Sequence, residues 1–149
     1  MFIADTSGNV EATLPPRRLE FDPTGVPEAV LSAFAEAIMC HSQQCYVGSA
    51  IMLRKALDLI CKDRGASGGN LKERIRALRS KVVIPEELLD GMDELRLLGN
   101  DAAHVEADVF NTIGKEEIEV AVAFTKEILK GVYQYSALLD RLKALKKGP

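Results

Sequence analysis

The stretch CYVGSAIMLRKALDLICKD, Cys45 to Asp63, constrains the fold more than any other. As a helix it would carry Val47, Ala50, Ile51, Leu53, Leu57, Ile60 and Cys61 around most of its circumference. A helix that is apolar nearly all round must be enclosed by other elements, so this segment belongs in the middle of a bundle. Candidate neighbours are legible on both sides. From about Pro27 to His41, residues Val30, Phe34, Ala37 and Ile38 form the i, i+4, i+7, i+8 stripe of an amphipathic helix. GASGGN then breaks the chain after the central segment, and Asn70 with Glu73 forms a variant of the capping box. It opens a short helix over about Leu71 to Ser80, with Leu71, Ile75 and Leu78 inward.

Pro85 is preorganised for a first helical turn, and Glu86 and Glu87 follow where the helix dipole favours negative charge. The helix they open should run to about His104 on a stripe of Leu88, Met92, Leu95, Gly99 and Ala102. From Lys115, residues Ile118, Ala121, Thr125, Ile128, Val132, Tyr135, Leu139 and Leu142 repeat at three and four. That repeat lasts about 30 residues, roughly 45 Å of helix, so its end should overhang the bundle. Gly131 is the candidate kink. No β pattern and no internal repeat emerges. The expectation is an all-α, up-and-down bundle over residues 27–147, with four main helices plus one short one. Residues 1–26 hold Pro15, Pro16, Pro23 and the turn-prone TSGN, which predict an irregular N-terminal arm.

With 149 residues, 47% of them hydrophobic, the chain is long enough for one domain with a real core. Residues 1–26 lack a basic start followed by an apolar run, and no segment reaches the 18 apolar residues or so of a membrane span. A cytoplasmic location without membrane contact is expected. Cys40, Cys45 and Cys61 are an odd count at spacings unlike a secreted disulfide framework, which fits a reducing compartment. A metal site built from Cys40, His41, Cys45 and Cys61 would lack paired C-x2-C knuckles. We read the three as buried thiols and His41 as a helix-end residue, and expect no metal and no cofactor. The chain holds no Walker loop, GxGxxG, nucleophile elbow or HExxH, so the nucleotide-hydrolysing, dehydrogenase, lipase-type and zinc-protease classes lack their motifs.

Net charge is −3, so no global field draws polyanions and any nucleic-acid contact needs a local patch. The densest positive cluster is Lys72, Arg74, Arg76, Arg79 and Lys81. Arg74, Arg76 and Arg79 are the candidate phosphate-tracking residues; the plainer reading is a solvated helix face. A second candidate is RLLGNDAAH, where Arg96, Asn100 and His104 fall at i, i+4 and i+8. Each step of four turns about 40°, so the three rise along one flank of a helix, beside the apolar stripe. A guanidinium, an amide and an imidazole on one flank suit a phosphate. They equally suit a polar boundary, with Arg96 paired to Glu36, Asp58 or Asp93. Gly99 costs a helix roughly 1 kcal/mol relative to Ala, and a neighbouring backbone packed against it is the simplest reason for it.

The blocks CYVGSAIMLRKALDLICKD, GGNLKERI and VIPEELLDGMDELRLLGNDAAH, in this order, resemble a bacterial family of unknown function within the HEPN-like helical superfamily. The resemblance covers about Cys40 to Leu142. It implies a helical accessory domain associated with restriction and other defence enzymes. Active members of the wider superfamily resemble metal-independent ribonucleases that place an Arg, often followed by Asn, then three residues and a His, near the end of a long helix in a symmetric dimer. Asn100 and His104 match the Asn-x3-His part, but Gly99 stands where the Arg is expected and Arg96 lies three residues earlier.

That departure bears on chemistry. Metal-free RNA cleavage needs a base for the 2′-OH, an acid for the leaving oxygen, and a donor for the charge developing on phosphorus. An imidazole ordinarily exchanges protons near neutral pH and suits either of the first two tasks. Arg provides a planar fork that Gly does not replace. With one His104 per chain, separate base and acid would require a homodimer. The reading is therefore a non-catalytic helical module that binds a protein partner or nucleic acid, expected as a homodimer. The alternative is a ribonuclease acting through His104, Asn100 and Arg96.

Overall fold

A computed structural model describes residues 21–104 and 113–147. Among them there is no strand. The helices are α1 (Glu28–Ser42), α2 (Tyr46–Asp63), α3 (Leu71–Leu78), α4 (Glu86–Ala103), α5 (Lys115–Leu129) and α6 (Tyr135–Lys147), with α5 running into α6 through a π-helical turn at Lys130–Gln134. The regular structure of the described residues is all helix, as the periodicities require.

Central position falls to α2, which packs against α1, α3, α4 and α5. Its Ala50, Leu53, Ala56, Leu57, Ile60 and Cys61 are each no more than 1% exposed. Burying a Leu or Ile side chain contributes about 1.5 to 3 kcal/mol, so this row holds much of the fold together. Two of the residues expected to complete the apolar circumference do not: Val47 is half-buried and Ile51 is exposed. The enclosure of α2 is open on one flank, and that opening becomes a groove. Ser49, fully buried, donates its hydroxyl to the Ala37 carbonyl at 2.7 Å and fastens α2 to α1. On α1 the expected Val30, Phe34, Ala37 and Ile38 are all buried.

Local signals act close to where the sequence puts them. Asn70 accepts from the Glu73 N–H at 2.8 Å, while the Glu73 carboxylate accepts from the Gly69 N–H at 2.8 Å, so the capping box is offset by one residue. Pro85 is the N-cap of α4, one position before the first-turn place expected of it. On α4 the buried stripe is Leu89, Met92, Leu95, Gly99 and Ala102; Leu89 is buried to the side of the expected row, and Leu88, expected in its place, is half-buried against the same core.

The first 20 residues of the expected arm lie outside the described residues, as does the connection over 105–112. Residues 21–26 are non-helical and tied down. Phe21 meets Phe34 edge-on with ring centroids 5.7 Å apart, and the Gln134 amide donates to the carbonyls of Asp22 and Thr24 at 2.8 and 2.9 Å.

The final repeat does not run as one regular helix. Its interruption holds Gly131, with Val132 and Tyr133, in the wide turn, and a π-bulge is one of the recognised causes of helix bending. The Tyr133 hydroxyl donates to Asp63 at 3.0 Å, and Arg64 lies over its ring at 4.7 Å from the centroid. These contacts pin the π turn to the end of α2. Beyond it, α6 leaves the core, and Leu138, Leu139, Leu142 and Leu145 are 50 to 78% exposed.

Candidate functional site

Where α2 and α4 cross, they touch at Gly99. A Cβ on Gly99 would stand 2.5 Å from the Arg54 Cβ, 3.0 Å from its Cδ and 3.1 Å from the Ala50 carbonyl oxygen. The first is too close for any side chain, and the Arg54 Cβ is fixed by its backbone. Gly99 is therefore the residue that lets Arg54 lie across α4. The Arg54 stem covers Gly99, and its Nε donates to the Asn100 side-chain oxygen at 2.6 Å. An arginine does meet Asn100 on this surface, but it arrives from α2.

This crossing forms one wall of a groove of about 930 Å³, whose other walls are the exposed flank of α2, the turn over residues 65–68 and Arg74 of α3. Four cations line it, Arg54, Lys55, Lys62 and Arg74, against the single carboxylate of Asp58. Arg74 satisfies that carboxylate, donating from Nε to Asp58 at 2.8 Å and from Nη1 to the Gly68 carbonyl at 3.0 Å. Lys55 and Lys62 are exposed and have no ion pair among the described residues. The groove is net positive although the chain is net negative. In a concave site such local charge acts on an anion more strongly than the net charge suggests.

The residues singled out from the sequence separate. Asn100 lines the groove, whereas Arg96 and His104 do not. Arg96 donates to Asp93 at 2.9 Å, one of the three partners expected for it, and its side chain is 12% exposed. His104 is the exposed C-cap of α4, its backbone N–H donating to the Asp101 carbonyl at 3.2 Å. The basic patch is likewise dispersed: Arg74 faces the groove, Arg79 is paired with Glu86, which holds the Glu86 carboxyl below its usual range, and Arg76 is exposed.

Of the three cysteines only Cys61 is fully buried, and burial pushes its thiol up to about 12. Cys40 is half-buried, with its thiol also raised by burial, and Cys45 is exposed, so the expectation of three buried thiols holds for one. Among the described residues no group of three or more His, Cys, Asp or Glu side chains is placed to hold a metal ion. His41 ends α1 with its Nε2 3.6 Å from Glu119, beyond hydrogen-bonding distance, and its ring tilted against Tyr46.

Sequence reasoning overlooked Arg54, Lys55 and Lys62. A signal for two of them exists: Arg54, Asp58 and Lys62 step by four along a largely apolar helix, the same spacing as Arg96, Asn100 and His104.

The domain of unknown function DUF4145 matches residues 35–147, from within α1 to the end of α6 and including every residue of the groove. The chain belongs to this family. No curated protein and no solved structure matches it. In this DUF4145 domain the one flank left open on the central helix carries the cations. No helix among its described residues is long and apolar enough to cross a membrane.

Proposed function

We propose that the chain is a non-catalytic, HEPN-like helical module that binds nucleic acid through the groove between α2 and α4. The observation that carries this reading is the groove's charge: four cations around one carboxylate, with Lys55 and Lys62 left exposed for phosphates. Arg54 is held by Asn100 and Arg74 by Asp58, so these two present charge from fixed positions. The irregular backbone at residues 65–68 adds a floor without a bulky side chain.

The same geometry supports the non-catalytic part of this reading. The arginine that meets Asn100 comes from α2 and not from the position before Asn100, and Arg96 is engaged by Asp93. His104 has neither beside it in the groove. Removing one preorganised charge-stabilising donor commonly costs about 2.7 to 4 kcal/mol, or 10² to 10³ in rate. Restoring an Arg at position 99 is sterically barred by Arg54 and Ala50.

Fluorescence anisotropy with single-stranded and structured RNA is the test of binding. Each lysine that contacts a phosphate adds about 0.7 to the slope of log affinity against log salt for a single strand, so Lys55→Glu with Lys62→Glu should lower that slope by about 1.4. Unchanged binding in this variant would remove the groove from the reading, and no binding by the wild type would turn it toward a protein partner. Cleavage in EDTA that disappears in His104→Ala, with the fold intact by circular dichroism, would make the chain a ribonuclease instead.

A further inference from the structure

Tyr135, Leu138, Leu139, Leu142 and Leu145 stand 50 to 78% exposed along one side of α6. Tyr135 and Leu142 are seven residues apart, as are Leu138 and Leu145, which is the seam spacing of a helix that packs along a partner. An apolar row of this length on a projecting helix marks an interaction surface. Its flanks are basic, with Arg141, Lys143 and Lys146 against Asp140.

The complement lies elsewhere on the same chain. Between α4 and α5 runs a groove of about 670 Å³ with Leu98, Val120 and Phe124 on its floor and Glu94, Glu116 and Glu117 on its rim. No cation lines it. Gly91 makes room for the floor, since a Cβ there would fall 1.8 Å from the Phe124 ring. An apolar trough with an acidic rim fits an apolar ridge with basic flanks.

The chain cannot close this contact on itself, because α6 continues from α5 through the π turn and leads away from the groove. We propose that the groove receives α6 of a second copy, reciprocally, in a two-fold homodimer. The groove is centred near Val120 and the ridge near Asp140, each ten residues from Lys130, or about 15 Å along the helix. Two copies crossing antiparallel near Lys130 therefore bring both ridges opposite both grooves at once. The interface closes. Pairing α6 with α6 would instead set like charges against each other.

Sedimentation velocity on the full chain tests this. The wild type should dimerise with rising concentration, and Leu138→Lys with Leu142→Lys, both at exposed positions, should be monomeric with an unchanged circular dichroism spectrum. Glu94→Lys with Glu116→Lys should weaken the dimer at least about tenfold, and adding Lys143→Glu with Lys146→Glu should restore it. A wild type that stays monomeric at high micromolar concentration overturns the proposal. So does a dimer indifferent to the leucine variant, or one indifferent to the charge reversal, which would place the contact on another surface. Neither result bears on the anisotropy of the basic groove.

Discussion

Two helices of this chain have similar apolar content and opposite fates. In α2 the leucines at 53 and 57 are no more than 1% exposed, whereas in α6 those at 138, 142 and 145 are 57 to 78% exposed. The difference lies in what each helix can reach. Four other helices pack around α2, while α6 begins past a π turn pinned to the α2 terminus and extends beyond them. Hydrophobic periodicity states that a face wants covering. It does not state whether the same chain supplies the cover.

Truncation should separate the two helices most sharply. Leu57→Ala removes a fully buried side chain and should cost about 2 to 5 kcal/mol in chemical denaturation. Gly99→Ala should come next, since overpacking of about 1 to 3 kcal/mol exceeds the roughly 1 kcal/mol that Ala gains over Gly in a helix. At Gly91 the obstacle is the far end of Phe124, a ring that can swing aside, so Gly91→Ala should destabilise less than Gly99→Ala in the same experiment.

A pH titration of stability sharpens the same contrast. Burial raises the Cys61 thiol to about 12, and burial with the Asp63 bond raises the Tyr133 hydroxyl. Both groups hold their protons more tightly folded than unfolded, where they titrate near about 8.5 and 10. Their contribution is therefore full below those values and is lost as pH rises beyond them. The chain should lose stability from about pH 9 upward, and Tyr133→Phe should lessen the loss above about pH 10. At the small end of the scale, Leu142→Ala should shift the stability of the dilute chain by no more than about 0.5 kcal/mol.

How much was legible follows from these particulars. The stripes of α1 and α3, the Asn70 cap and the overhang of the last helix could be read because each depends on residues within a few turns of one another. Periodicity alone favours Leu88 over the equally apolar Leu89 beside it, and only packing against α2, α3 and α5 buries Leu89 instead. The groove was harder to see. A glycine at position 99 signals a close approach, but that the approaching residue is Arg54, 45 positions away in the chain, is a fact of tertiary structure. Arg96 and His104 share a flank with Asn100 in sequence, yet only Asn100 faces the cations of α2.

Hydrogen exchange followed by mass spectrometry at low and at high protein concentration is the most direct test of the contrast between α2 and α6. Amides of α2 should open only with global unfolding and be indifferent to concentration, while those of α6 should exchange quickly when dilute and become protected as concentration rises. Protection of α6 equal to that of α2 in the dilute chain, or exchange in α6 that never responds to concentration, would contradict the account.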